Sequence, residues 1–207
     1  MADQVCTFAE VKIQLKILVG DTTDDVYLSA LIDGVTDWMQ AHVKRYLVPK
    51  PALTFNVDTA AGSVLDVRRY GVRVVTSLGV ASVNQPDTGG VYTAVAAADI
   101  VLRPPELARD PGMPATQIAI LGAYARLADA INGAHLVADC GPAATPDRIK
   151  RVGIDAVVAA YQSRKAGGSG VIGAEDAAAV EWSKYFGPDS PQRVTLDRLR
   201  GASIGIG

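Results

Sequence analysis

A helical periodicity over residues 26–47 constrains the fold more than any other feature of the chain. Apolar residues recur there at spacings of four, three, four, four and three positions, which places them on one face of an α-helix. Leu31, Trp38 and His42 lie beside that face and widen it. We therefore predict one long amphipathic helix that contacts two surfaces and ends before Pro49. Its apolar face consists of Leu28, Ile32, Val35, Met39, Val43 and Tyr46.

A shorter helix is predicted before the long one. Thr7 and Glu10 stand three residues apart, which is the spacing of a capping box, in which each side chain bonds the backbone amide of the other residue. The helix should run from about Phe8 to Leu18, and Gly20 should end it.

Three aspartates, Asp21, Asp24 and Asp25, stand beside Thr22 and Thr23 just before the long helix. We interpret them as its start: either threonine can cap the helix, while the last two aspartates lie in the first turn, where the helix dipole favours carboxylates. The alternative is a metal or acid-base site. An EF-hand is excluded because neither the central glycine nor the distal glutamate has the required spacing.

Between residues 52 and 142 the pattern changes to short, valine-rich segments interrupted by Gly, Pro and Asp. Such segments predict a small antiparallel sheet or barrel. The connectors at 84–90 and 104–114 contain several prolines, which cannot continue a central strand, so we expect exposed loops there. The predicted strands are ALTFNVD, SVLDV, GVRVVTSLGVASV, DIVLRPP, TQIAIL and AHLVADCG.

Helical patterns return after residue 143. Thr145 should cap a third helix with Pro146 in its first position, and AGGSG at 166–170 interrupts the chain after it. A fourth helix is expected over about 174–186, with Ala178, Trp182 and Tyr185 on one side. The buried face of the third helix is predicted to contain Ile149, Val152, Ala156, Ala160 and Tyr161.

The predicted fold class is therefore α+β, a mainly α-helical bundle of about four helices with an inserted small antiparallel β domain. Residues 1–50 and 143–186 would form the bundle, residues 51–142 the β-rich insertion, and residues 187–207 an extended C-terminal tail. Apolar and cationic residues are mixed in this tail, which is too short for a core of its own. It would either stay disordered or dock on a partner, and its Ile and Leu content favours docking.

Composition excludes several functional classes. With 20 Lys and Arg against 22 Asp and Glu, the chain lacks the dense positive charge of a strong nucleic-acid binder. No apolar run is long enough for a membrane span, and the N-terminus lacks a signal-peptide pattern, so we expect synthesis in the cytoplasm and no membrane partner. Cys6 and Cys140 lack zinc or redox spacing and are expected to be buried free thiols.

A few polar groups remain as candidate sites. His42 and His135 have no serine or cysteine partner in a recognisable context, so we interpret both as structural. Arg148, Lys150 and Arg151 form a small basic run that is typical of a solvated face and could also make weak contacts to a DNA duplex. No cofactor, metal or catalytic residue is predicted.

The order of elements resembles the head-to-tail connector proteins, the adaptors of long-tailed bacteriophages. The resemblance lies in two stretches, residues 7–47 with their two opening helices and acidic start, and residues 136–164 with a strand, a glycine turn, a Pro-Asp cap and a helix. The chain departs from the family at Cys140–Pro142, where an aromatic residue is often found, and at Val43–Lys44, where the family usually has Thr-Gly.

The resemblance implies a non-enzymatic virion protein of the neck, between capsid and tail. It would form a ring, commonly a dodecamer, that docks below the portal protein, extends the DNA channel toward stopper or tail proteins, and touches double-stranded DNA only transiently through Arg148, Lys150 and Arg151. Leu31, Trp38 and His42 would then lie between subunits. Portal binding would involve the tail residues Arg193, Val194, Leu196, Arg198, Leu199, Arg200, Ile204 and Ile206.

Three other functions stay open at this point. A stopper or tail-completion protein of the same neck would bind an adaptor ring instead of the portal. A small nucleic-acid-binding regulator would use the basic run and would bind duplex DNA with a steep salt dependence. An enzyme using Asp21, Asp24 and Asp25 with His42 would hold a metal ion.

Overall fold

The structure is a computed structural model that divides into two compact units. The helical unit comprises residues 1–48 and 145–207, and the β unit comprises residues 49–144. No helix within the described part of the chain is both long and apolar enough to cross a membrane. The described residues are 4–60, 62–81, 92–103, 115–122, 127, 130–166 and 180–201.

Four α-helices and a single 3₁₀ turn are described in the helical unit. They are α1 (Phe8–Leu15), α2 (Asp25–Val43), α3 (Asp147–Ala166), a 3₁₀ turn at Trp182–Lys184, and α4 (Pro191–Gly201).

The predicted capping box at the start of α1 is confirmed. The Thr7 hydroxyl accepts a hydrogen bond from the Glu10 amide at 3.3 Å, and the Glu10 carboxylate accepts one from the Thr7 amide at 2.7 Å.

Both opening helices end earlier than predicted. Lys16 and Lys44 adopt left-handed conformations with φ of 57° and 58° directly after α1 and α2. After α1, the amide of Ile17 then donates to the carbonyl of Lys12 at 3.0 Å. This hydrogen bond closes the helix as in a Schellman motif, a role that glycine usually fills. The glycine and proline signals near 20 and 49 were therefore misleading about where the helices end.

The helical core contains the predicted faces of α2 and α3. All five predicted residues of α3 are buried, and five of the six predicted residues of α2 are buried, while Tyr46 follows the helix and is half-buried. The start of α3 differs from the prediction by one residue, because the helix begins at Asp147 and the Pro146 carbonyl accepts from the Lys150 amide at 3.0 Å. The periodicity thus identified the buried surface correctly.

The C-terminal part of the helical unit differs from the prediction. Of the expected helix at 174–186, residues 174–179 lie outside the described residues, and the described remainder holds only the 3₁₀ turn. Residues 191–201 form α4 and are not extended, and Leu196 is fully buried. The physical reason is a cap: the Ser190 hydroxyl accepts from the Arg193 amide at 3.1 Å, and Pro191 occupies the first helical position.

Two antiparallel sheets form the β unit. The first has the strand order β1-β7-β3-β4 and the second the order β2-β6-β5. The described strands are β1 (Lys50–Thr59), β2 (Val64–Asp66), β3 (Val72–Ala81), β4 (Tyr92–Ala94), β5 (Ile100–Arg103), β6 (Gln117–Ile120) and β7 (Ala130–Cys140).

Central strand β7 pairs with β1 and β3 along most of its length, and Leu136 lies opposite Phe55 on one side and Leu78 on the other. All six predicted segments contain a strand. Strand β4 was missed, and the two expected loops at 84–90 and 104–114 lie outside the described residues.

Strand β7 begins earlier than predicted because a glycine allows two strands to approach closely. A Cβ atom at Gly133 would lie 2.0 Å from the Thr59 hydroxyl oxygen on β1, so only glycine fits there without displacement. The fold is α+β, as predicted. A mainly helical bundle is not confirmed, because seven strands accompany the four α-helices within the described residues.

Candidate interaction surfaces

Asp24, directly before α2, joins this helix to α3 and does not cap α2 with its side chain. Asp24 occupies the cap position, but its side chain makes no capping hydrogen bond. Its carboxylate accepts a hydrogen bond from the Tyr161 hydroxyl on α3 and lies 3.1 Å from the Lys165 ammonium. The Tyr161 hydroxyl is the main reason that the pKa of the Asp24 carboxyl is below its usual value.

The interpretation of the threonines as helix caps was also wrong. The Asp21 carboxylate accepts hydrogen bonds from both the amide and the hydroxyl of Thr23, at 3.0 and 2.7 Å. These bonds form a local turn that precedes the helix. Only Asp25 lies in the first turn of α2, as predicted.

A buried lysine fixes the loop between α1 and α2. Lys12 is 2% exposed, and its ammonium lies 2.6 Å from an Asp25 carboxylate oxygen. The same ammonium donates to the carbonyl oxygens of Val19 and Asp21. A charge removed from water needs such partners, so the loop is fixed at three points.

The described residues contain no group of three or more His, Cys, Asp or Glu side chains that could hold a metal ion. Both cysteines are buried. Burial is the main reason that the pKa of the Cys6 thiol is raised to about 12 and that of the Cys140 thiol to about 11. Thiols with such pKa values are weak nucleophiles at neutral pH.

The second face of α2 contacts the C-terminal part of the same chain. Trp38 stacks on Phe186, with ring centroids 4.3 Å apart, and on His42 at 5.3 Å. The His42 ring nitrogen Nε2 lies 2.7 Å from the Asp197 carboxylate on α4. The two-sided helix is thus explained within one chain.

The predicted subunit contact at Leu31 is contradicted for the folded chain. Leu31 is fully buried in the core of its own unit, so it has no surface to offer a neighbouring subunit.

The predicted tail residues lie in different surroundings. Leu196 is buried and Leu199 packs against the core, while Arg193 lies 3.3 Å from Asp197 within α4. Val194 and Arg198 are exposed. Arg200 belongs to α4, but its side chain, like Ile204 and Ile206, lies outside the described residues.

The basic run at the start of α3 does not form one cationic face. Lys150 lies 3.5 Å from Glu10 and Arg151 lies 3.2 Å from Asp155. Arg148 is exposed and lies near Arg45. The pKa of Arg45 is lowered mainly by burial and further by the charge of Arg148. Two of the three predicted DNA contacts are therefore already paired with carboxylates.

A group of exposed aliphatic residues lies on α1, on the loop after it and in the first turn of α2, and the sequence interpretation missed it. Its members are Ile13, Leu18, Val19 and Val26, which we call the α1–α2 knob. Their side chains are 69%, 81%, 69% and 69% exposed. The sequence did contain one signal for these exposed residues. Leu18 and Val19 directly precede Gly20-Asp21, a turn sequence, and residues next to a turn are ordinarily polar.

In the β unit, His135 belongs to a polar group on one face of the four-stranded sheet. Its Nδ1 atom lies 2.9 Å from the Asn56 side-chain oxygen, and Tyr92 stacks on its ring at 5.3 Å. A Cβ atom at Gly79, between them, would come within 2.7 Å of Tyr92. The His135 ring, which lies on β7, is thus held by side chains of β1 and β4 beside Gly79 of β3. Contacts of this kind are structural.

No protein-family model and no curated protein match the sequence. Solved structures do match the fold. A chain from the neck of an empty gene transfer agent (GTA) particle, computed with C6 symmetry, is 19% identical with a TM-score of 0.53, and the match covers 89% of this chain and 94% of that chain. A chain from the neck of the native GTA particle, computed with C12 symmetry, is 18% identical with a TM-score of 0.49 and the same coverage. The first likeness shows that the two chains share a fold.

Proposed function

We propose that this chain is a structural protein of a phage-like neck, a head-to-tail connector that forms a ring below the portal and extends the DNA channel toward the tail. The observation that supports this function best is the fold shared with the GTA neck chain over nearly the full length of both chains. The order of helices and strands that resembles phage adaptors supports the same function independently.

The symmetry of that neighbour supports ring formation. A neck with C6 symmetry contains each chain in six copies or a multiple of six, and the resemblance to adaptors favours twelve for this chain. In a closed ring of more than two subunits, each subunit contacts its neighbours through two different faces. The helical unit would form the ring wall.

The portal contact would lie at the C-terminal end of the chain. Helix α4 turns Leu196, Asp197 and Leu199 toward its own unit, which leaves Val194 and Arg198 exposed. Together with the residues after Gly201, these two side chains would present apolar and cationic groups to the portal. The rest of the predicted tail set would support the helix.

DNA would pass this protein without being held tightly. A conduit needs few fixed cations, because each phosphate contact strengthens binding and slows passage. The pairing of Lys150 and Arg151 with carboxylates fits that requirement. It also argues against the regulator, which needs the same side chains free for duplex DNA.

The portal contact can be tested with the purified chain and portal rings from its own particle. Truncation at residue 190 is unsuitable because it would remove the buried Leu196 and expose the core. We would instead replace Val194 with Ser and Arg198 with Glu, and separately delete residues 202–207. The matched control is Val74→Ser in the β unit, since Val74 is 45% exposed against 39% for Val194.

Both tail variants should lose co-migration with portal rings while their circular dichroism stays unchanged, and the control should bind as the unmodified chain does. Unchanged binding of both variants would contradict the portal contact. Binding to a preassembled adaptor ring, with none to the portal, would assign the chain to the stoppers instead.

A further inference from the structure

Two arginines of the helical unit lie close together, and neither is paired with a carboxylate of the described residues. Arg45 follows α2 and is half-buried, while Arg148, in the first turn of α3, is exposed. Burial lowers the pKa of Arg45, and the nearby charge of Arg148 lowers it further. A partly desolvated cation beside a like charge costs free energy. Such an arrangement needs an explanation that the fold of the free chain does not provide.

The packing of α2 against α3 brings the two arginines together. At the far end of this helix pair, the Asp24 carboxylate before α2 accepts a hydrogen bond from Tyr161 near the end of α3. The two helices are therefore antiparallel, and the end of α2 lies beside the start of α3. Val43 and Ile149, from these two ends, are buried in the same core. The position of the arginines thus follows from the fold.

Positive charge is in excess at this end of the helix pair. Lys44, next to Arg45, is exposed and also forms no ion pair with a described residue. The exposed carboxylate of Asp147, next to Arg148, offsets one of these three positive charges, so two remain. The other two cations of the basic run at the start of α3 are paired with carboxylates and do not add to the excess.

The chemistry of this excess favours a phosphate group. A guanidinium presents its N–H donors in a planar fork that matches the oxygen atoms of a phosphate. A phosphate also has more acceptor oxygens than a carboxylate, so it can bridge two arginines. Because α3 begins at this point, the positive end of its dipole adds to the attraction for an anion.

We propose that Arg45 and Arg148 form a binding site for a phosphate group, and that in the ring this phosphate belongs to the backbone of the DNA duplex. The source of the phosphate rests on the proposed connector function, whereas the site itself does not. One such site per copy fits a conduit, because it holds a duplex far less tightly than a continuous basic face would. Of the three predicted DNA contacts, only Arg148 is retained, and Arg45 joins it.

Isothermal titration calorimetry of the full chain with inorganic phosphate at low ionic strength tests the site. We expect one phosphate to bind per chain, and at least tenfold weaker binding in Arg45→Gln and in Arg148→Gln. The matched control is Arg69→Gln in the β unit, which removes the same charge from an exposed arginine. Equal losses in all three variants, or no binding by the unmodified chain, would overturn the site.

Unfolding in phosphate-free buffer separates a binding role of Arg45 from a structural one. Replacing a guanidinium that lies beside another cation removes a repulsion. The urea midpoint of Arg45→Gln, followed by tryptophan fluorescence, should therefore equal or exceed that of the unmodified chain. A midpoint well below that of the unmodified chain would show that Arg45 stabilises the fold, and the binding role would be rejected.

Duplex DNA tests the source of the phosphate. Fluorescence anisotropy with a short labelled duplex should show weak binding at low salt. The slope of log affinity against log salt should decrease in magnitude by about one in Arg45→Gln and stay unchanged in the Arg69→Gln control. A duplex that does not displace inorganic phosphate would leave the site intact and contradict DNA as the source.

An acidic protein surface is the competing ligand for the two arginines. Binding of a glutamate-rich peptide that depends on Arg45, with no binding of phosphate, would assign the arginines to such a surface and overturn the proposal. The connector function is tested separately on portal rings, so a chain that forms rings but binds no phosphate would lose this site and keep that function.

Discussion

The helical unit and the β unit are stabilised in different ways. In the helical unit, side chains far apart in sequence hold the elements together: Asp24 bonds Tyr161 and His42 bonds Asp197, across 137 and 155 positions. In the β unit, the strands are held together by backbone hydrogen bonds and by close approaches at glycine, as between Gly133 and Thr59.

The same difference appears at the surface of the two units. Four exposed aliphatics of the helical unit lie in, or within three residues of, the loop between α1 and α2, while those of the β unit lie on or next to different strands. The helical unit thus places exposed apolar side chains beside a loop that the buried Lys12 fixes. This comparison predicts that single polar changes affect the helical unit most and that changes of volume affect the β unit most.

Replacing Lys12 with Met should have the largest effect. The change leaves Asp25 and two carbonyl oxygens without the buried ammonium. Loss of one partner of a fully buried pair destabilises by about 3–5 kcal/mol, and because Asp25 is 32% exposed we expect a loss at the lower end of that range. Urea unfolding followed by tryptophan fluorescence would measure the helical unit alone, since both tryptophans, Trp38 and Trp182, belong to it. The control is Lys184→Met, whose exposed pair with Glu181 should not matter. Equal midpoints for the two variants would contradict the anchoring role.

In the β unit, Gly133→Ala should come next. The added Cβ would lie 2.0 Å from the Thr59 hydroxyl oxygen, and overpacking of this kind costs about 1–3 kcal/mol. Hydrogen exchange should accelerate along β1 and β7 while tryptophan emission stays the same. A second change, Thr59→Ala, should restore part of the protection. Gly20→Ala is the control because nothing lies within 4 Å of a Cβ atom at that position. Hydrogen exchange in the Gly133 variant that is slower than in the unmodified chain would contradict the close approach of the two strands.

A smaller effect is expected for Tyr161→Phe, which removes the hydrogen bond to the Asp24 carboxylate. Such a bond contributes about 1–2 kcal/mol. The pKa of Asp24 in the folded chain is below its usual 3.8. The ionised carboxylate therefore contributes to the free energy of unfolding above pH 3.8, and this contribution is lost as the pH falls through the folded pKa. The stability difference between the variant and the unmodified chain should therefore be constant near neutral pH and shrink in acid. A difference that grows in acid would contradict this sign.

Asp197→Asn should have the smallest and most local effect. The carboxylate lies half-exposed beside His42 and Arg193, and the hydrogen bond from His42 is the main cause of its lowered pKa. We expect faster hydrogen exchange in α4 and a small shift of Trp38 emission, with the urea midpoint nearly unchanged. Exchange rates in α4 that do not change would show that packing of Leu196 alone holds this helix.

Elements that depend on periodicity could be predicted from the sequence, and those that depend on local backbone conformation could not. The apolar faces of α2 and α3 follow directly from residue spacing, as does the capping box at Thr7. Helices α1 and α2 end at Lys16 and Lys44 because these lysines adopt a left-handed backbone conformation, which no residue pattern in the sequence predicts. Ser190 before Pro191 fits a helix start, but Gly187 and Pro188 just before this pair are equally typical of a loop.

The candidate surfaces were harder to predict because they depend on tertiary contacts. Asp24 fits the first turn of a helix by sequence, and only the approach of Tyr161, 137 positions later in the chain, gives its carboxylate another partner. Leu31 fits a subunit contact until the core of the same unit is known to cover it. The α1–α2 knob becomes visible only when the burial of Lys12 shows that the loop around it is held in place.

The most direct test of a ring-forming connector is electron cryomicroscopy of the purified chain with and without portal rings from its particle. The proposed function predicts a closed ring on the portal with six copies or a multiple of six, with the helical units side by side. A chain that remains monomeric on portal rings, or a ring in which copies do not touch through their helical units, would contradict it.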